Sequence, residues 1–552
     1  MTVRRIVLVA AAIAWSTSVV LALARLEPPA RAVEWQQGRR PAGPIFSSSD
    51  ECQACHNNLT TTSGEDVSIG ASWRGSMMAN SARDPYFLAS LRRETLDHAS
   101  HAGDIQEECA RCHVAAAQRT TSAAGGKVDV LAHAEAWQAG RLDDVDTLAA
   151  DGVTCTVCHQ IDRERLGTPE SYNGNFVLAP PLPNGNRRAN GPHPPDPGRL
   201  RIMQSVTGIE QAEAPHIRQS ELCASCHTLI TNALGPAGEV IGSLPEQMTY
   251  SEWRHSAQRQ SCQACHMPAV RGPVRISSVL GQDRDSLARH TFLGGNAFML
   301  RLLNRFRAEL GVQATPTELE ASARATTRLL ETETATLAID RAERTGGMLA
   351  LDVAITNLTG HKFPTGYPSR RAWLHVMVRD TAGTVVFESG RVSETGLIEG
   401  NDSDASAGAF EPHYLEITRS DEIQVYESVM GNRGGSATTG LLDATQYLKD
   451  NRLLPAGFDK TTAPADIKSV GDAARDPDFA AGSDRVRYRV PVPNAGALTV
   501  TVELLFQPIG YRWARNLAAY KAPEPQAFVS YFDRMASSSA TVVARAARVI
   551  TP

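Results

Sequence analysis

The 552-residue sequence has no excess of either charge: 55 Lys and Arg stand against 60 Asp and Glu, a formal net charge of −5. That excludes the broad basic face with which a nucleic-acid-binding chain neutralises phosphates. Aromatic residues are scarce at 6%. Beyond residue 24 no run of about 18 apolar residues occurs, so the body of the chain holds no candidate membrane span. The 42 Gly and 31 Pro follow no G-X-Y period, and 42% hydrophobic content is too much for a disordered chain. No GxSxG nucleophile motif is present. Gly431-Asn-Arg-Gly-Gly435 lacks a Walker lysine and reads as a turn. Nor is any cysteine left unpaired by motif, and this last absence is the informative one.

All ten cysteines fall in five CxxCH motifs: Cys52, Cys55 and His56; Cys109, Cys112 and His113; Cys155, Cys158 and His159; Cys223, Cys226 and His227; Cys262, Cys265 and His266. Two thiols add to the two vinyl groups of one porphyrin and the next imidazole takes the iron from the proximal side, so the spacing implies five covalently attached c-type haems. Zinc ribbons need pairs of CxxC pairs, which five doublets cannot supply, and have no use for His after every second Cys. A thioredoxin-type redox motif occurs once in a chain.

The N-terminus agrees with export. Arg4 and Arg5 precede an almost wholly apolar Ile6–Leu23, and Ala30-Arg-Ala32 offers a cleavage site. Residues 1–32 therefore read as a cleaved signal or as a retained N-terminal anchor; either places the chain outside the cytoplasm, in the periplasm.

The organisation expected is α + β. A helix- and coil-rich pentahaem domain with little regular sheet covers 33–296, a helical connector 297–334, and a β-sandwich-like domain 335–552. Helices are expected over Pro85–His98, Leu131–Ala139, Leu142–Ala150, Phe298–Leu310 and Thr317–Leu330, the last capped at Thr317. Strands are expected at Thr336–Ile339, Met348–Thr356, Ala372–Arg379, Val385–Glu388, Tyr414–Thr418, Ile423–Ser428, Val486–Val492 and Ala497–Phe506. Late helices follow at Arg512–Tyr520 and Pro525–Ser537. Asn401-Asp-Ser-Asp-Ala-Ser406 carries oxygens at alternate positions as a Ca²⁺ loop does, but lacks the rest of such a loop and reads as solvated.

Ten histidines lie outside the motifs, twice what five distal positions need, so bis-histidine ligation is the default expectation. His375 and His413 fall beside or within β-domain strands, where structural roles are commoner. Arg187, Arg188, Arg370 and Arg371 are candidate partners for haem propionates.

Gln219-Ser-Glu-Leu-Cys-Ala-Ser-Cys-His-Thr228, Glu246-Gln-Met-Thr-Tyr-Ser-Glu-Trp253, Cys262-Gln-Ala-Cys-His-Met-Pro268 and Asp151-Gly-Val-Thr-Cys-Thr-Val-Cys-His-Gln-Ile161 resemble the multihaem cytochrome c family related to cytochrome c554. So do His290-Thr-Phe-Leu-Gly-Gly-Asn296 and Asn357-Leu-Thr-Gly-His-Lys-Phe-Pro-Thr-Gly366. The resemblance covers about residues 50–300 and is looser beyond. It implies His290 and His361 as distal ligands, with His361 tying the β domain to the haems. The family's Trp-x-x-Ser-x-His is altered here to Trp73-Arg-Gly-Ser-Met-Met78 and Trp253-Arg-His-Ser-Ala-Gln258, which makes Met78 a candidate thioether ligand. His216, His101 and His133 complete the candidate distal set.

Three functions stay open: an electron carrier between quinol-oxidising or terminal reductase components and other cytochromes; an oxidoreductase with one open-faced haem acting on a nitrogen or sulfur oxyanion; and a subunit of a respiratory complex or cytochrome filament. No motif is CxxCK, which argues against an ammonia-forming nitrite reductase.

Overall fold

A computed structural model describes residues 44–551; the signal or anchor reading of residues 1–32 lies outside them. By packing, the described residues separate into Pro181–Asn186 and residues 44–180 with 187–551. In the first unit, the described Pro181–Asn186 closes a turn, Leu182 N donating to Asn186 O at 2.8 Å. Everything below concerns the second unit. Among the described residues no helix is long and apolar enough to cross a membrane.

Helices form where caps and apolar periodicity coincide. Pro85–Asp97 starts where the Asp84 carboxylate accepts from the N–H groups of Tyr86 and Phe87, with Pro85 at the first helical position. Asp129 caps Val130–Gln138, and an Asp143/Asp146 capping box opens Asp144–Ala150. The longest helix, Pro316–Glu333, is capped by Thr315 rather than Thr317, because Thr315 and Glu318 close a reciprocal box around Pro316. The helix before it is Ala297–Arg305, shorter than the apolar spacing suggested. The motif-bearing half also holds more regular structure than expected. It has a parallel pair, Arg187–Gly191 with Ile209–Glu213, and two hairpins, Leu229–Leu234/Val240–Gln247 and Ala269–Arg275/Asp283–Ala288.

From Ala335 the chain is mainly β. Ala335–Thr345, Met348–Asn357 and Ser483–Pro491 pair antiparallel, with Glu416–Ile417 at one edge. The second, seven-stranded sheet is centred on Arg371–Arg379 between Leu498–Gln507 and Val425–Asn432, with Thr541–Ile550 at an edge. Alternate residues of both sheets meet in one core: Leu349, Leu351, Val353 and Ile355 from the first, and Leu374, Val376, Val378, Val500 and Val502 from the second. The two sheets thus pack face to face through these side chains. The expected strand at Tyr414–Thr418 shrinks to Glu416–Ile417. Ala444–Asp450 and Thr541–Ile550 are strands that the pattern did not mark.

Candidate functional site

Four of the five CxxCH motifs lie wholly on helices: Ala102–His113, Cys155–Gln160, Ser220–His227 and Cys262–His266. Residues i, i+3 and i+4 share a helix face, so helical geometry puts both thiols and the imidazole of each motif on one side.

The first motif departs from this pattern at Cys55. Its helix, Ser49–Gln53, carries Cys52 but ends before Cys55, which sits in the turn that follows. The turn stays tight, with Cys55 N donating to Cys52 O at 3.2 Å and His56 N to the same oxygen at 3.0 Å. Cys55 O is taken from outside: Ser278 donates to it from its N at 2.8 Å and from its Oγ at 3.0 Å. Cys55, a haem thiol by its spacing, is thus held by the segment between the strands Ala269–Arg275 and Asp283–Ala288 rather than by a helix of its own. No disulfide joins any of the ten cysteines, each of which is half-buried.

Four of the five motif imidazoles are oriented through Nδ1. His56 donates its Nδ1–H to Ile276 O, His159 to Asn190 O at 2.6 Å, and His266 to Leu293 O. His113 makes a longer contact with Ser81 O, 3.4 Å. A donor at Nδ1 leaves the Nε2 lone pair free, which is how ligating histidines are oriented. Burial lowers the pKa of His56 and His159, and brings His113 and His227 to about 4, so these rings are neutral at pH 7.

Two proximal imidazoles face a second histidine. His159 and His290 have ring centroids 6.3 Å apart and planes within 16°; His266 and His361 stand 6.3 Å apart within 11°. The second ring of each pair is likewise fixed at Nδ1, His290 to Ala288 O at 3.0 Å and His361 to Lys362 O at 2.9 Å. Burial also lowers both pKa values, His290 to about 4. At 6.3 Å the rings of each pair are near-parallel but not in van der Waals contact.

His361 is held from both halves of the chain. Asn357 Nδ2 and Thr359 Oγ1 donate to its carbonyl. Glu252, on Thr249–Arg254 ahead of the fifth motif, accepts from Lys362 N at 3.1 Å and Thr365 Oγ1 at 2.6 Å. The Lys362 ammonium meets Asp450 at 2.7 Å, and Arg452 bridges Asp450 and Glu252 at 2.8 and 3.0 Å. Two cations and two carboxylates thus balance inside the protein.

The other candidates are placed differently. His133 pairs with Asp146 at 2.6 Å across two helices. His101 precedes Ala102–His113, about 18 Å from His113 along that rod, and lies against Gly238. His216 spends Nε2 on Ile161 O at 2.9 Å, leaving Nδ1. The Met78 carbonyl accepts from Val153 N at 3.1 Å, which anchors it to the turn before the third motif. That turn needs Gly152 at φ +62°, since a Cβ there would stand 2.8 Å from the same carbonyl. The Gln258 side-chain oxygen is occupied by the N–H groups of Arg259 and Gln260. All fifteen histidines fall within the described residues, and of the five proximal ones His56, His113 and His227 have no ring contact with another histidine. His113 is instead stacked on Phe87 at 3.7 Å.

The motifs neighbour one another out of sequence order. The thiols of Cys52 and Cys155, of Cys226 and Cys112, and of Cys223 and Cys262 lie close enough to influence one another's ionisation. The first motif therefore adjoins the third through Cys52, and the fourth adjoins both the second and the fifth. The field of Cys226 also reaches Cys158, which puts the third motif beside the fourth.

Two clusters outside the motifs are closed to ions. His413, Asp476 and Asp484 are buried together. Tyr414 N and Glu427 N donate to the side-chain oxygens of Gln424 and Asn451, so those amides turn their NH₂ groups to His413 Nδ1. The imidazole proton then lies on Nε2, which donates to Asp476 at 3.0 Å, and no lone pair remains for a metal. In Asn401–Ser406, neither a Ca²⁺ loop nor a solvated one, the buried Asp404 carboxylate is bidentate to Arg371.

No family model and no curated protein sequence matches the chain. Among solved structures it is similar to a penta-heme cytochrome c552 from Thermochromatium tepidum, at 17% identity and a TM-score of 0.49, over 92% of this chain and 100% of that one.

Proposed function

We propose that this chain is a multihaem c-type cytochrome carrying five covalently bound haems and transferring electrons between extracytoplasmic redox proteins. The observation that carries the reading is the pairing of His159 with His290 and of His266 with His361, each ring fixed through Nδ1 to a backbone carbonyl. In each pair a CxxCH helix presents two thiols and one imidazole while a loop presents the second imidazole from the opposite side. Bound there, a haem supplies a one-electron couple whose potential is set by its axial ligands and burial. The protein holds each macrocycle by two thioethers, fixes the ring planes of its ligands and excludes water from them. At the first motif those thioethers are those of Cys52 and Cys55, the second from a turn. The adjacency of the motifs makes the route branched: the first reaches the fourth through the third, and the second and fifth join at the fourth. The likeness to the family related to cytochrome c554 rests on the sequence motifs. Export, a periplasmic location and protein redox partners follow from haem attachment outside the cytoplasm.

Expression in a host that attaches c-type haem, followed by a pyridine haemochrome assay and intact mass, tests this. Five covalent haems are expected; a zinc-loaded or haem-free soluble protein would overturn the reading. A second reading, a substrate-converting oxidoreductase, is favoured by His56, His113 and His227 lacking an opposed histidine. CO binding to the reduced protein separates the two.

A further inference from the structure

Buried cations need a nearby anion, since an unpaired charge away from water is strongly disfavoured. Five are buried among the described residues: Arg83, Lys362, Arg371, Lys449 and Arg452. Four of them lie in the cysteine-free half, and each has an acid in ion-pair contact: Lys362 and Arg452 meet Asp450, Arg371 meets Asp404 at 2.7 Å, and Lys449 meets Glu427 at 3.1 Å. Arg371, a propionate candidate by sequence, is thereby spent.

Arg83 is the exception. It is 5% exposed, its Nε has no partner, and no acid stands within 4.0 Å. The Trp137 ring lies 6.0 Å below its guanidinium, a contact that offsets only part of the lost hydration. Asp151 is close enough for its field to be felt, but its carboxylate is turned to Ser49 N at 2.7 Å. The residue stands among the motifs. Ser81, two positions earlier, donates to His113 O at 2.7 Å and faces His113 Nδ1 with its own carbonyl. Asp151 lies in the turn that leads to Cys155.

We propose that Arg83 binds a carboxylate that the polypeptide does not supply, a propionate of a haem attached in this half of the chain. The assignment rests on the cytochrome reading. A guanidinium suits it by its planar fork, which takes a carboxylate in two parallel hydrogen bonds. A cation at that place favours the ferrous state, because ferric haem carries one more positive charge.

Spectroelectrochemical titration of the haem-loaded protein and of Arg83→Gln and Arg83→Lys tests the proposal. The haem count of the wild type judges the cytochrome reading by itself. Given five haems, Arg83→Gln is expected to keep all five but to lower the potential of one by about tenfold in its equilibrium constant, about 59 mV for one electron. Arg83→Lys is expected to retain most of the wild-type value. Five unshifted potentials in a fully loaded Arg83→Gln would overturn the assignment. Should that variant fail to accumulate, an experimental structure of the loaded wild type decides. A propionate oxygen in ion-pair contact with Arg83 supports the proposal; a protein acid or a free oxyanion there overturns it.

Discussion

His290 and His361 carry the sharpest expectations at the scale of single residues. Each faces a motif imidazole at 6.3 Å with Nδ1 committed to a carbonyl. Replacing either by Ala is therefore expected to convert one haem in five from low-spin to high-spin, read by electron paramagnetic resonance of the ferric protein. His133→Gln is expected to leave that spectrum unchanged, because His133 serves Asp146; a changed spectrum would return it to the ligand set. His375 makes a different, pH-dependent contribution. Burial opposes its charged form, but hydrogen bonds to Glu503 and Glu388 outweigh that and raise its pKa. A folded-state pKa above the unfolded value of about 6.5 gives stability that is fully present below that pH. That stability is lost as pH rises through the folded value. Thermal denaturation of the loaded protein from about pH 5 to about pH 9 is expected to show this loss, and His375→Gln to flatten it. An identical slope in the variant would assign it to another group.

At the scale of elements, the CxxCH motifs were legible as spacing, while the helices that carry four of them were not marked by the sequence pattern. At Cys55 the chain is held instead by a distant partner, Ser278, more than two hundred residues on. The sandwich strands with strict alternation, Met348–Asn357 and Ser483–Pro491, were legible from their own residues too. What escaped was set by partners distant in sequence. Thr541–Ile550 is rich in Ala and Arg, and becomes a strand because Leu498–Gln507 offers it an edge. Arg83 looks like any surface arginine until tertiary packing buries it. His361 was legible only through resemblance, and what fixes it, Glu252 on another element, left no local mark. Glu252→Ala removes acceptors for Lys362 N and Thr365 Oγ1 and leaves Arg452 half-paired. The expected cost is about 3–5 kcal/mol, seen as a lower Tm, together with high-spin character at the haem of the fifth motif. A destabilised variant whose five haems keep their spectrum would show that the loop holds His361 without Glu252.

For the whole molecule the distribution of histidines matters more than their number. Ten outside the motifs seemed enough to saturate every iron. The fold spends several elsewhere: His375 on the outer face of a sheet and His413 buried beside Asp476, His133 on a helix pair, and His216 by one nitrogen on Ile161. Two of the five proximal rings have an opposed imidazole, and both second rings come from segments C-terminal to all five motifs. The cysteine-free half is thus more than a cover, since it delivers His361 and the buried charges that hold it. The fourth motif, with its neighbours on three sides, lacks an opposed histidine at His227. On the proposed route a branch point whose ligation differs from that of two of its neighbours would separate potentials, because axial ligand identity tunes them. Two bis-histidine haems and three of other ligation are therefore expected, counted by near-infrared magnetic circular dichroism of the ferric protein. Five bis-imidazole signals would overturn this distribution and return the molecule to a uniform low-spin wire. Three CO-binding haems in the ferrous state, unaffected by His290→Ala and His361→Ala apart from one added site each, would place the open positions at the first, second and fourth motifs.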